Sequence, residues 1–282
     1  MITEFIQVKS PQEAVQAKHA FGNNGVFLAG GTEVNRLGSS VQGSRVISLK
    51  QVNLNSIESH GDVVSIGAMV TFQEAIDHPL IPGYIKEALR FCASRTRRNM
   101  ATIGGNISLS RDDSYLLSTL VAAKARLILA DITHDGVYNE EDVPIREYHA
   151  FREHFAGSLI LKIVLNKPQR FVASSRFART AQSPAAVTVS FGADISSGSA
   201  HDVRICAAVK GSGVSRLLQV EESVSNGQLA APEDAATLVG ADIAFIDDIT
   251  GSATYKRYLL GTAVAELYRA CLSAMDKGEA AI

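Results

Sequence analysis

The rhythm of apolar and polar positions changes along the chain, and the change predicts elements before any chemistry is considered. Residues 2–8 read as a strand. Ser10-Pro11-Gln12-Glu13 then combines a capping hydroxyl, a proline at the first helical position and a reciprocating carboxylate, so a helix is predicted to about Phe21. Gly22-Asn23-Asn24-Gly25 stops it. Residues 26–29 form a short buried strand running into Gly30-Gly31, residues 32–37 a helical turn, and residues 46–49 another strand. From about residue 57 the pattern predicts a strand over 63–68, a short helix over 71–77 and an amphipathic helix over 85–94. That last helix carries Ile85, Ala88, Leu89 and Cys92 on one face. A Gly-Gly loop at 104–105, an apolar helix over 114–125 and strands over 127–130 and 158–165 complete this half.

A domain boundary is expected around Asn166-Lys167-Pro168. Beyond it, strands are predicted near 171–180, 185–195 and 202–210, with Gln182-Ser183-Pro184 and Ser196-Ser197-Gly198-Ser199 as hairpin loops. Helices over 213–226, 232–239 and 252–275 follow. The second half therefore reads as an α+β module, a three-stranded antiparallel sheet packed by helices.

Composition narrows the function classes. With 282 residues, 46% apolar and 20% charged, the chain can bury a large core and is not disordered. Its 27 basic and 29 acidic side chains argue against a general nucleic-acid surface. No apolar run is long enough for a membrane span, and the N-terminal residues have no basic, secretory-type lead, so a cytoplasmic protein is expected. Cys92, Cys206 and Cys271 are isolated, which leaves neither a zinc site nor an iron–sulfur cluster to this chain. His149 and His154 have the wrong spacing for one helical face, and no metal site is expected. Glu140-Glu141-Asp142 reads as a solvated loop, Gly211-Ser212-Gly213 as a helix-capping turn and Cys92 as a small core residue.

Two glycine motifs carry the chemistry. Phe27-Leu28-Ala29-Gly30-Gly31-Thr32-Glu33-Val34 is a strand, a Gly-Gly turn and a hydroxyl at a helical start. Glycines let backbone N–H groups approach a phosphate, and Thr32 adds a hydroxyl. Thr102-Ile103-Gly104-Gly105-Asn106 offers the same chemistry again, as suits a ligand with two phosphates gripped from both sides. Neither motif is a Walker A loop or a Rossmann GxGxxG. Arg95, Arg97 and Arg98 precede the second motif. They fit either a patch steering a phosphate, NAD or a partner, or a solvated helix end, the simpler reading for Arg95 and Arg97.

These segments resemble the AGGT and TIGGN flavin-binding motifs of the FAD-binding (medium) subunit of molybdenum hydroxylases, the xanthine dehydrogenase group. Ile66-Gly67-Ala68 with Thr71, Arg98-Asn99 and the late segment Gly251 to Tyr258 fit the same family. The resemblance implies a two-lobed FAD-binding domain of the vanillyl-alcohol-oxidase type over residues 1–168, with lobes of about 1–56 and 57–168. A C-terminal α+β domain of the CO-dehydrogenase flavoprotein type, 169–282, would follow. It further implies that the FAD diphosphate lies between 27–34 and 102–106, that Ile160 lies against the flavin or adenine, and that Arg176 stands where the family usually has Lys. The family's Asp after the second motif is replaced by Tyr115 in an ungapped count, with Asp112 and Asp113 just before it; Asp112 is taken as the substitute.

No Ser-His-Asp or Cys-His set emerges from the spacing, and no catalytic side chain is assigned; a bound cofactor would carry the chemistry. The leading expectation is an oxidoreductase subunit. It takes electrons from a [2Fe-2S] partner subunit, itself fed by a molybdenum-cofactor subunit, and passes them through FAD to NAD or another acceptor. The alternatives are a self-contained flavin reductase or oxidase of the same superfamily, and a scaffold subunit whose flavin site has decayed.

Overall fold

The computed structural model describes residues 2–36, 39, 41–181, 183–240 and 242–277. Its contacts sort the chain into two compact units, each assembled from three segments. One comprises Met1–Leu80, Ala93–Leu109 and Ala125–Asn166, the other Ile81–Cys92, Ser110–Lys124 and Lys167–Ile282.

The first unit holds two sheets. Strands β1 (Glu4–Gln7), β2 (Gly25–Leu28) and β3 (Arg45–Ser48) pair in parallel, in the order β1-β3-β2. Helix α1 (Pro11–Phe21) makes the crossover; the hydroxyl half of its expected capping box forms, while its Glu13 carboxylate accepts from the amide one residue before the cap. Ser10 Oγ accepts from the Glu13 amide at 3.1 Å, and the Lys9 amide donates to the Glu13 carboxylate at 2.7 Å. The second sheet is antiparallel and contains β4 (Ile57–His60), β5 (Val63–Gly67), β6 (Arg126–Ile132), β7 (Tyr138–Pro144) and β8 (Leu159–Leu165) in the order β4-β5-β8-β6-β7. Ala14 and Val15 of α1 pack with Ile47 of β3 and with Ala130 and Leu159 of the second sheet in one core.

The two edge strands of that sheet, β4 and β7, escape the hydrophobic pattern. Glu140-Glu141-Asp142, expected as a loop, lies within β7 with its side chains exposed. An edge strand can be polar on both faces, because charge there blocks unwanted pairing with other chains.

The helices following α1 are α2 (Phe72–Asp77), α3 (Gly83–Cys92), α4 (Arg95–Arg98), α5 (Ile103–Leu109), α6 (Tyr115–Ala122) and α7 (Ile145–Ala150). Of these, α3 and α6 belong to the second unit.

In that second unit β9 (Phe171–Phe177), β10 (Val187–Ser196), β11 (Ser199–Val209) and β12 (Gly213–Arg216) form an antiparallel sheet in chain order. The sheet has four strands rather than the expected three. The residues around 213, expected to begin a helix, instead pair with β11, so Gly211-Ser212-Gly213 makes a hairpin turn and not a helix cap. Helices α8 (Leu218–Ser225), α9 (Pro232–Leu238) and α10 (Ala253–Lys277) follow.

Strand β10 shows how the layers are specified. Val187, Val189, Phe191 and Ala193 enter the core lined by Leu260, Val264 and Tyr268 of α10. The alternate residues face α6, where Ser190 Oγ lies 3.1 Å from Ser118 Oγ and 3.3 Å from Thr119 Oγ1. Large apolar groups thus mark one face and small hydroxyls the other, the period-2 signature of a strand covered on both sides. Each large side chain fully buried in this core contributes roughly 1.5–3 kcal/mol.

One charge is completely enclosed. Lys256 of α10 donates its three ammonium protons to Lys210 O at 2.8 Å, Ile246 O at 3.0 Å and Asp248 Oδ2 at 2.9 Å. Burial pushes the Asp248 carboxyl up, but hydrogen bonds from Thr250 and Lys256 outweigh it and bring it down to about 2.

Candidate functional site

Both glycine motifs lie in the first unit, and a continuous run of backbone contacts joins them. Strand β2 delivers the chain to Gly30, which packs so closely on Met100 that an added Cβ would sit 1.6 Å from Met100 O. Next along, the Phe72 amide donates to Ala101 O at 2.9 Å, and Thr71 bridges Thr102. Ile103 N donates to Val70 O at 3.0 Å and Gly104 N to Ala68 O at 2.9 Å. Ala68 N in turn donates to Leu161 O at 2.9 Å, beside Ile160 of β8. The structure therefore gathers residues 27–34, residues 102–106 and Ile160 onto one framework.

The motifs differ in what they leave for a ligand. Gly104-Gly105, expected as a loop, occupies the first turn of α5. Its amides are spent internally: Gly105 N donates to Thr102 Oγ1 at 3.2 Å and Asn106 N to Thr102 O at 3.0 Å, besides the two bonds already given. Gly104 is needed for packing, since a Cβ there would meet Ala68 Cβ at 2.6 Å. What this motif offers is a side chain: Asn106 Oδ1 is buried with no hydrogen-bond partner among the described residues.

The first motif is the reverse case. The amides of Gly30, Gly31 and Thr32 donate to no acceptor among the described residues. Gly31 takes a φ of +68°, a left-handed conformation that a side chain would strain. Phe27 and Ala29 pack onto the core, and the Glu33 carboxylate accepts from Arg36 Nε at 3.0 Å. Arg97 Nη2 donates to Thr32 O at 3.3 Å, so the arginine cluster stands beside the open amides. Sequence reasoning weighed Arg97 within the arginine cluster and favoured a solvated helix end for it; the spacing alone gave no sign of its bond to Thr32.

Asp112, Tyr115 and Arg176 lie in the second unit. Asp112 accepts from Lys210 Nζ at 2.7 Å and from the Gly211 amide at 3.0 Å. Burial raises its pKa, but those hydrogen bonds prevail and hold it below the usual carboxylate range. Tyr115 is buried, stacked on Phe91 with ring centroids 6.0 Å apart, and its hydroxyl donates to Glu87 at 3.4 Å. Arg176 lies over the Phe91 ring at 5.6 Å and donates to Ser183 O. Burial lowers its pKa.

Among the described residues no group of three His, Cys, Asp or Glu side chains is placed to hold a metal ion, and no helix is long and apolar enough to cross a membrane. Open amides, a guanidinium and an orphaned amide oxygen suit the phosphates and hydroxyls of a dinucleotide, so the residues present fit FAD. A framework of this kind defines a cofactor-holding protein.

Residues 1–167 match the family described as FAD binding domain in molybdopterin dehydrogenase, and residues 173–271 match the CO dehydrogenase flavoprotein C-terminal domain. The chain belongs to this family of FAD-binding medium subunits of molybdenum hydroxylases. It is 31% identical over 278 residues to Uncharacterized protein YgfM of Escherichia coli (strain K12), covering 98% of this chain and 99% of that one. It is 26% identical over 228 residues to the Nicotine 6-hydroxylase medium subunit of Paenarthrobacter nicotinovorans, covering 78% and 79%. Its fold is similar to that of a chain in the carbon monoxide dehydrogenase structure from Hydrogenophaga pseudoflava, with a TM-score of 0.82 at 21% identity over 96% and 97% of the two chains.

Proposed function

We propose that this chain is the electron-transferring flavin subunit of a molybdenum-containing hydroxylase or dehydrogenase resembling xanthine dehydrogenase. Its partners would be a molybdenum-cofactor subunit and a [2Fe-2S] subunit, in the cytoplasm and without nucleic acid. The observation that carries this reading is the row of open amides at Gly30, Gly31 and Thr32, held against the segment that leads into the second motif. Such amides act as fixed partial positive charges toward a diphosphate.

Held by these residues, FAD would supply the exchange between one-electron transfer from the partner and two-electron transfer to NAD or another acceptor. The chain's own residues bind and orient. Gly30 fixes the distance between the two motifs, Gly31 and Thr32 present N–H donors, and Asn106 Oδ1 receives a ligand hydroxyl. The resemblance extends the proposed set to Phe27, Leu28, Ala29, Glu33, Val34, Thr102, Ile103, Gly104, Gly105, Asp112, Ile160 and Arg176. It also supports a flavin domain of the vanillyl-alcohol-oxidase type over 1–168, with lobes of about 1–56 and 57–168, ahead of a C-terminal domain over 169–282. The name of the nicotine hydroxylase relative, a medium subunit, supports the multi-subunit assignment.

The test is a titration of flavin-free, folded protein with FAD, followed by flavin fluorescence and by equilibrium dialysis. One FAD retained per chain is the expected result. Folded protein that takes up no FAD would refute the reading.

A further inference from the structure

The arginines of α4 are a charge cluster that the proposed function leaves unused. Arg95 and Arg97 are exposed, and neither forms an ion pair with a carboxylate among the described residues. Glu33, the acid within the first motif, already holds Arg36. Two uncompensated guanidinium groups therefore share one helical turn, an arrangement whose mutual repulsion favours an anion nearby.

The placement of Arg97 is specific. Its Nη2 reaches Thr32 O at 3.3 Å, one peptide from the open amides of Gly31 and Thr32. A guanidinium presents five donors in a planar fork, and this single bond leaves most of them available. Bracing the Thr32 carbonyl holds the fork against the same loop whose Gly30, Gly31 and Thr32 N–H groups have no acceptor among the described residues. Main-chain donors and a planar cation side by side are the combination that recognises phosphate oxygens by charge-assisted hydrogen bonds.

We infer that Arg97 is a diphosphate-binding residue of the first motif, adding a charged clamp to the Gly30–Thr32 amides. The inference rests on the reading that this motif holds FAD, and it assigns to the chain's own side chain a share of the grip on the two phosphates. Arg95, on the same turn, adds long-range attraction without a contact to the loop.

The experiment compares wild-type, R97A and R97K proteins for binding of FAD, riboflavin and inorganic diphosphate, by fluorescence for the flavins and calorimetry for the ion. Riboflavin has the same ring system and no phosphate. Because Arg97 is exposed, R97A should melt with the wild type, which a thermal scan checks. R97A is expected to bind FAD about 10-fold more weakly, the loss of one charge-assisted bond. Riboflavin binding should not change, diphosphate binding should fall with FAD, and R97K should recover part of the loss because it restores charge without the fork. The FAD difference should also shrink as salt is raised.

R97A that binds FAD as tightly as wild type overturns the inference while leaving the flavin reading intact. A loss shared equally by FAD and riboflavin also overturns it, since Arg97 would then only brace the loop. Wild-type protein that binds diphosphate through Arg97 and takes up no FAD would leave the anion site standing and remove the flavin reading.

Discussion

Gly30→Ala tests whether the first motif is shaped by its own packing or by ligand alone. The new Cβ would stand 1.6 Å from Met100 O and 2.6 Å from Met100 C, where contacts under 3.0 Å do not occur. The shortfall is about 1.4 Å, and both sides are backbone, so no rotamer change relieves it. The loop must lift from Met100-Ala101, breaking the run of contacts that joins the two motifs. Overpacking of this kind costs about 1–3 kcal/mol, and rigid partners on both sides place this case in the upper half of that range. For a unit of this size the melting temperature should fall by roughly 5–10 °C.

The assay is thermal unfolding of flavin-free protein followed by circular dichroism, so that no ligand effect enters. Gly83→Ala is the control, because a Cβ there meets nothing within 4 Å. If Gly30→Ala melts alongside Gly83→Ala, the close approach to Met100 is wrong. The glycine would then serve the ligand only.

Two further outcomes follow from the second unit. Lys256→Met leaves Lys210 O, Ile246 O and Asp248 without their shared donor inside the fold, which should cost about 3 kcal/mol and lower the urea midpoint; an unchanged midpoint would mean the enclosed ammonium is dispensable. Burial pushes the Cys92 and Cys271 thiols up to about 11 and raises Cys206 as well. At pH 8 about one thousandth of either of the first two is thiolate, so a thiol reagent should label native protein slowly and all three cysteines quickly in denaturant. A fast-reacting native thiol would contradict the packing around it.

Much of the local structure was legible before folding. Ser10 and Glu13 announce the start of α1 because both side chains find backbone partners within five residues, Ser10 Oγ at the Glu13 amide and Glu13 at the Lys9 amide. Strands β9, β10 and β11 show themselves because their apolar runs must fill a core. The misses share one cause. Strands β4, β7 and β12 have no run of alternating apolar side chains, and each is an edge strand paired on one side only, with the strand next to it in sequence.

The candidate site divides in the same way. The glycines, the threonines and the order of the motifs were written in the chain, and with them the FAD family. Local spacing determined that much, because a left-handed φ at Gly31 or a cap at Thr102 is set by adjacent residues. Only the tertiary structure decided which glycine amides remain open. Those of the second motif, Gly104 and Gly105, are consumed by Ala68 and Thr102, whereas those of the first have no acceptor among the described residues. It likewise decided that Gly30 answers to Met100, that Arg97 reaches Thr32, and that Ile81–Cys92 and Ser110–Lys124 cluster with the C-terminal residues. A backbone donor's partner is chosen by whatever strand or helix folding brings against it. That choice depends on distances across the chain, which no local pattern of residues contains.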